Sequence, residues 1–193
     1  MNKSGEANRS VRNTRRRLRE GLLRLMEEKP INEISVKELT ELADVNRGTF
    51  YFHYADIYDL LRRTEEEFFD QFSRTLSETT PSEKTAYPYL HAVFAFLGDN
   101  RDFCSIMLGP HGDMQFVEQI KRLVDQRCSY FWREAAPEAD ERRFGMYNAF
   151  IINGCIGIIQ KWLSEDASRS PEEISQLAAT IILSSVRPGI TQE

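Results

Sequence analysis

The sequence predicts an all-α protein: an N-terminal three-helix unit containing a helix-turn-helix, then a larger helical domain, about nine helices in total. Three observations carry this. Apolar residues recur three and four positions apart along the chain, and no run alternates with the two-residue period of a strand. Cap residues stand ahead of the periodic segments at Ser35, Asn46, Asp56, Asp113 and Ser170. Proline or glycine marks the breaks at Pro30, Pro81, Gly109-Pro110 and Pro137.

Taken in order, residues 1–10 are polar and basic and are read as irregular. Lys3, Arg9 and the nearby Arg12 form either a basic arm that follows a minor groove or phosphate backbone, or a solubilising tail. A helix is expected from about Val11 to Lys29. Leu18, Leu22, Leu25 and Met26 make its apolar side, with Arg15, Arg16, Arg17, Arg19 and Arg24 around it. Pro30 ends it by forcing the preceding residue out of helical geometry. Ile31 and Ile34 plug the small core beneath the next two helices.

Ser35 and Glu38 have the spacing of a capping box, so a second helix starts at Val36, with Val36, Leu39, Leu42 and Ala43 on one side. Ala43-Asp44-Val45 is the turn. Asn46 caps a third helix, from Arg47 to about Tyr54, whose Phe50 and Tyr54 are spaced for burial. Arg47, Thr49, Tyr51 and His53 offer donors and ring edges instead. Gly48, a poor helix former, allows close approach to another surface. A short helix with a polar leading end, braced by a capped helix before it, has the design that enters a DNA major groove.

Asp56 caps a fourth helix from Ile57 to about Ser77, with Leu60, Leu61, Phe68, Phe69 and Phe72 inward. Glu65-Glu66-Glu67 reads as a solvated face rather than a metal cluster. A loop from Thr79 toward Pro88 leads to an apolar helix over 88–98 and a short one over 100–108, stopped by Gly109-Pro110-His111-Gly112. Asp113 opens a helix to Ala135 with Phe116, Ile120, Leu123, Val124 and Phe131 inside. After Ala136-Pro137, residues 144–163 form a nearly all-round apolar helix containing Gly145, Gly154 and Gly157. Such a helix must be covered on more than one side. Ser170-Pro171-Glu172-Glu173 starts the last helix, with Ile174, Leu177, Ala178, Ile181, Ile182 and Val186 as its seam and Arg187-Pro188-Gly189 as its stop.

That much apolar surface on the last two helices implies pairing with a second copy. Ile151, Gly154, Ile158, Trp162, Ile174, Leu177 and Ile181 are the expected interface. The glycines either let two backbones approach or relieve crowding inside one subunit.

The block A-D-V-N-R-G-T-F-Y-F-H-Y-A-D-I-Y-D-L-L resembles the DNA-binding signature of TetR/AcrR-type transcriptional regulators. It shares their order of hydrophobic, Asn, variable, Gly, Thr, aromatic, Tyr, variable, His, aromatic, then a Leu-Leu pair. G-C-I-G-I-I-Q-K-W-L followed by S-P-E-E-I is similar to that family's dimerisation pair. The resemblance implies a DNA-binding domain over 1–55 and an effector-binding and dimerisation domain over 56–193. It implies a homodimer on a palindromic operator in double-stranded DNA, repression as the usual outcome, and release by a small-molecule effector. DNA contact then falls to Arg12, Arg15, Lys37, Asn46, Arg47, Gly48, Thr49, Tyr51, His53 and Tyr54. The fork of Arg47 suits guanine O6 and N7. Phe68, Phe72, Tyr89, Phe94, Phe103, Met107, Phe116, Tyr147 and Ile151 are expected to line an effector cavity, with His91 and His111 as polar anchors. One departure stands out: many members carry a phosphate-clamping lysine where this chain has Ile57. That motivates an alternative, a member with weakened DNA contact that serves as a protein-binding co-regulator.

Composition bounds these readings. The chain is 41% hydrophobic and 28% charged, with no apolar run long enough to span a membrane and no secretory signal in its first residues. A cytoplasmic location is expected. The net charge of −5 is unevenly placed: residues 1–63 hold 13 Lys/Arg against 10 Asp/Glu, and residues 64–193 hold 12 against 20. Positive charge therefore gathers where phosphate binding needs it. Cys104, Cys128 and Cys155 lack metal-ligand spacing and read as small buried hydrophobes. No nucleophile triad, phosphate loop or H-E-x-x-H occurs, so neither catalysis nor a metal or other cofactor is expected.

Overall fold

The computed structural model describes residues 3–79, 87–135, 141–165 and 168–190, and every regular element among them is helical. Contacts divide the chain into two units, Met1–Phe68 with Gly109–Asp113, and Phe69–Leu108 with Met114–Glu193.

The first unit holds α1 (Lys3–Glu28), a 3-10 turn (Ile31–Glu33), α2 (Val36–Leu42), α3 (Arg47–His53) and the first half of α4 (Ile57–Glu78). Helix α1 begins at Lys3, about two turns before the expected start near Val11. Once a helix is nucleated each added residue costs little, so the weak helix formers Ser4, Gly5 and Asn8 do not stop it. The core is built from Leu18, Leu22, Met26, Leu39, Phe50 and Leu60, all at most 1% exposed. Gly21 sets how closely α1 meets α2: a Cβ there would lie 3.0 Å from Leu39 Cδ1 and 3.5 Å from Ala43 Cβ.

The second unit comprises the rest of α4, α5 (Tyr87–Asp99), α6 (Arg101–Met107), α7 (Met114–Ala135), α8 (Glu141–Glu165) and α9 (Pro171–Ile190). Helix α5 runs against α9, and α8 touches α6, α7 and α9. A Cβ on Gly98 would sit 2.9 Å from Pro171 Cγ and 3.3 Å from Trp162 Cη2, so α5 admits no side chain there. Arg101 ties off the end of α8, donating to the Trp162 and Leu163 carbonyls at 2.9 and 3.0 Å while lying 5.3 Å over the Trp162 ring. Ser170 and Glu173 form a reciprocal capping box at 3.2 and 2.8 Å. Helix α9 does not stop at Arg187-Pro188-Gly189 but runs to Ile190. Pro188 falls in the last turn, where its missing N–H removes a single ladder bond. The expected inward positions Phe131 and Val186, and the side chain of Cys128, lie outside the residues whose surroundings are described.

Candidate nucleic-acid interface

Local bonds set the pose of α2 and α3. Ser35 Oγ accepts the Glu38 N–H at 3.2 Å, while the Glu38 carboxylate takes Lys29 Nζ at 2.6 and 2.8 Å and so fastens α2 to the end of α1. Chiefly through that Lys29 bond, the Glu38 acid is held below its ordinary range. The turn closes through Val45 N–H to the Thr40 carbonyl at 3.0 Å. Within it Asp44 adopts φ 49°, the left-handed region that side chains other than glycine and Asn/Asp avoid. Arg17 of α1 grips this residue, Nη2 donating to the Asp44 carbonyl at 2.8 Å and to its Oδ2 at 2.7 Å.

Arg17 thus braces the turn between α2 and α3. Arg17→Ala is expected to lower the stability of this unit by about 1 kcal/mol, discounted for exposure. It should weaken DNA binding while leaving the salt slope unchanged, whereas Arg15→Ala reduces that slope by about 1. Salt-dependent titrations of the two variants check this.

Helix α3 starts on Asn46, whose Oδ1 accepts the Gly48 N–H at 2.7 Å. A Cβ on Gly48 would lie 3.2 Å from that oxygen, so the glycine keeps room for the cap as well as for an approaching surface. Phe50 is fully buried, edge-on to Tyr51 (centroids 5.4 Å) and tilted against Tyr54 (5.8 Å). Arg47, Gly48, Thr49 and Tyr51 face solvent, Tyr51 at 59% exposure. Arg12, Arg15 and Lys37 are also exposed. Burial, then the nearby Arg15 charge, lowers the His53 pKa. Tyr54 is buried beneath Arg63, whose guanidinium lies 5.6 Å from the ring centre, and so serves packing. Burial raises its phenol, partly offset by Arg15, which places that arginine's charge beside the end of α3.

The start of α4 has a different character. Asp56 Oδ1 accepts the Asp59 N–H at 2.8 Å and Asp59 Oδ2 accepts the Ala55 N–H at 3.1 Å. Asp59 also binds Arg62 at 2.5 Å and Arg63 at 3.1 Å. Arg63 first, then the Ala55 bond, draws its pKa down to about 2. Ile57 is 4% exposed, a core residue. Of the three glutamates expected on a solvated face, Glu66 and Glu67 are exposed. Glu65 turns inward, its Oε1 buried without a hydrogen-bond partner among the described residues and its carboxyl raised to about 7, first by burial and then by Asp113 and Glu66. Residue 65 stands four after Leu61 and three and seven before Phe68 and Phe72, so it shares the buried side of α4 with them.

In the second unit Phe72, Phe94, Phe103 and Met107 are at most 2% exposed. Phe72 lies against Phe96, Phe94 against Trp162, and Phe103 against Phe116. Tyr89 is buried, Tyr147 and Ile151 are half-buried, His91 lies by Tyr87, and His111 is half-buried; Phe68 is buried in the first unit. Burial raises the Cys104 thiol to about 12 and that of Cys155 to about 11, so neither is a ready thiolate. Among the described residues no His/Cys/Asp/Glu group has metal-binding geometry, and no helix is long and apolar enough to cross a membrane.

The expected dimer residues separate into two sets. Trp162 and Ile174 are buried inside the subunit at 2% and 4% exposure, Trp162 through its packing on α5 and α6, and cannot face a second copy. Gly154, Leu177 and Ile181 are exposed, and Ile151 and Ile158 are half-buried. Met146 (75%) and Phe150 (63%), missed in the sequence, join the outward set. Among the described residues, and apart from the helix's own backbone, no atom comes within 4 Å of a Cβ on Gly145, Gly154 or Gly157, so those residues do not crowd these glycines. Phe52, also missed, is 81% exposed. Its signal was available: it stands two residues from both members of the Phe50–Tyr54 pair.

Comparison with known proteins identifies the family. Residues 18–64 match the family described as bacterial regulatory proteins, tetR family, and residues 84–184 match a transcriptional regulator C-terminal region of the TetR type. The chain belongs to the tetR family of bacterial regulatory proteins. Its relatives are regulators of transcription, not enzymes. An uncharacterized HTH-type transcriptional regulator, YxbF of Bacillus subtilis (strain 168), is 27% identical over 164 residues, covering 82% of this chain and 42% of YxbF. The chain thus spans about two-fifths of that relative's length. A TetR-like transcriptional regulator from Rhodococcus sp. RHA1 is similar in fold, with a TM-score of 0.70 at 10% identity over 90% of this chain and 96% of its own. So is FadR of Bacillus subtilis, solved in complex with stearoyl-CoA, with a TM-score of 0.64 at 12% identity over 87% and 97%. At those identities the likeness is one of fold.

Proposed function

We propose that this chain is a sequence-specific DNA-binding regulator, a cytoplasmic homodimeric repressor acting on a palindromic operator and released by a small-molecule effector. The observation that carries the reading is the outward face of α3. Arg47 there is exposed, has no ion-pair partner among the described residues, and stands with Thr49 and Tyr51 on a helix without a carboxylate. In a major groove Arg47 reads guanine O6 and N7, while Arg12, Arg15 and Lys37 meet phosphates and Asn46 and Gly48 shape the leading end of α3. A dimer sets two such helices about 34–36 Å apart, one helical turn of DNA. An effector in the second unit releases DNA if it prefers an arrangement whose α3 pair mismatches that spacing.

Selection from a randomised DNA pool tests this: a palindrome is enriched, and Arg47→Ala binds it roughly 10- to 100-fold more weakly while keeping its affinity for random DNA. A second reading, the protein-binding co-regulator, is favoured by the start of α4. Ile57 is buried where a lysine would clamp phosphate, and Asp56 and Asp59 put negative charge there. Arg62 and Arg63 are both engaged by Asp59. Under that reading the pool yields no enriched sequence.

A further inference from the structure

We propose that Phe52 is a second base-reading residue, its ring covering the 5-methyl group of one thymine in each half-site; this rests on α3 being the major-groove helix. Phe52 is more exposed than any other large apolar side chain among the described residues, at 81%. Successive helical residues are about 100° apart, so Phe52 lies roughly 180° from the midpoint of Phe50 and Tyr54. It therefore occupies the middle of the outward face, not its edge. Side chains on a helix lean over the preceding turn, and one turn before Phe52 is Gly48, which offers no side chain to lie on. Among the described residues the ring lies edge-on to His53 at 5.1 Å.

A bare phenyl ring at the centre of a reading face needs an apolar target in a polar setting. Helix α3 carries no acid, Arg47 leads it, and the Arg15 charge reaches its far end at His53 and Tyr54. Those cations suit a phosphate-walled groove. The apolar group on the floor of a major groove is the thymine methyl, and phenylalanine is among the side chains that recognise it. Arg47 and Phe52 together then read two chemically unlike features from one short helix.

The test uses the full chain and the palindrome it selects, with each thymine pair replaced in turn by deoxyuridine, which lacks only the methyl group. Wild type is expected to lose about fourfold affinity per half-site at one symmetric pair, the transfer value of a buried methyl. Phe52→Ala should bind the thymine and uracil duplexes equally, while Met114→Ala, at an exposed apolar residue of α7, keeps the preference. Both side chains are largely exposed, and thermal unfolding verifies that the variants fold. If Phe52→Ala retains the full methyl preference, or binds every duplex as wild type does, the proposal is overturned while the reading of α3 stands. If wild type enriches no palindrome, the reading of α3 falls and takes the proposal with it.

Discussion

Phe50→Ala is expected to remove about 3–5 kcal/mol from the first unit and to abolish DNA binding at temperatures where the wild type binds. The size of the effect follows from the shortness of α3. Seven residues cannot sustain a helix in water, so α3 exists because its inner face is docked. That face consists of Phe50, without solvent exposure, and Tyr54, at 7%. Truncating Phe50 leaves a cavity and removes both aromatic contacts. A domain of marginal stability, about 5–15 kcal/mol, cannot absorb much of that loss. Urea unfolding should show an earlier transition in the first unit; because the chain has two units, the transitions need separate probes. Phe50→Leu, which refills most of the volume, should cost under about 2 kcal/mol and keep binding. Tyr51→Ala, on the exposed side, should change stability by no more than about 0.5 kcal/mol. A Phe50→Ala protein within 1 kcal/mol of wild type would mean that α3 is held by something other than its buried face.

What the sequence revealed and what it concealed divide along physical lines. Local signals were legible because they act through backbone bonds a few residues apart. Ser35 with Glu38, Asn46 ahead of Gly48, and Ser170 with Glu173 all cap as their spacing requires. The inward residues Leu18, Leu22, Leu39 and Phe50 were legible from helical period. Long-range choices were not. Nothing near Arg17 in the sequence says that it will reach 27 positions onward to Asp44 rather than to phosphate. Gly21 and Gly98 matter because of α2 and of Pro171 and Trp162, partners known only after folding. Within α9, Ile174 and Ile181 are chemically alike and lie on the same predicted seam. Seven residues, nearly two full turns, should put them on one side, yet Ile174 is 4% exposed and Ile181 40%. What separates the two is tertiary packing, which the helical period does not encode.

Replacing outward apolar residues of the last two helices by acids should separate the two copies. Met146 and Phe150 lie one turn apart on α8, and Leu177 and Ile181 one turn apart on α9, which packs against α8. Between 63% and 75% of Met146 and Phe150 is exposed, a cost in water that a second subunit would remove. Gly154 and Gly157, open on the same helix, permit close backbone approach, as small residues do where helices meet. Phe150→Glu with Ile181→Glu would place four carboxylates in one two-fold interface, each uncompensated in an apolar setting. Hot-spot truncations cost about 2 kcal/mol or more apiece, so the doubly substituted protein should be monomeric at micromolar concentration by sedimentation equilibrium. Its helix content should not change, because the altered side chains are exposed in the subunit. Operator affinity should fall roughly 10²- to 10⁴-fold, the advantage that linkage gives a second half-site, while binding to a single half-site is spared. Met114→Glu, at an equally exposed apolar residue on α7, provides the control and should leave the dimer intact. A doubly substituted protein that still dimerises would move the interface to another face. A wild type that is monomeric would leave each α3 to bind alone, and a palindrome would then offer it no advantage over two unrelated half-sites.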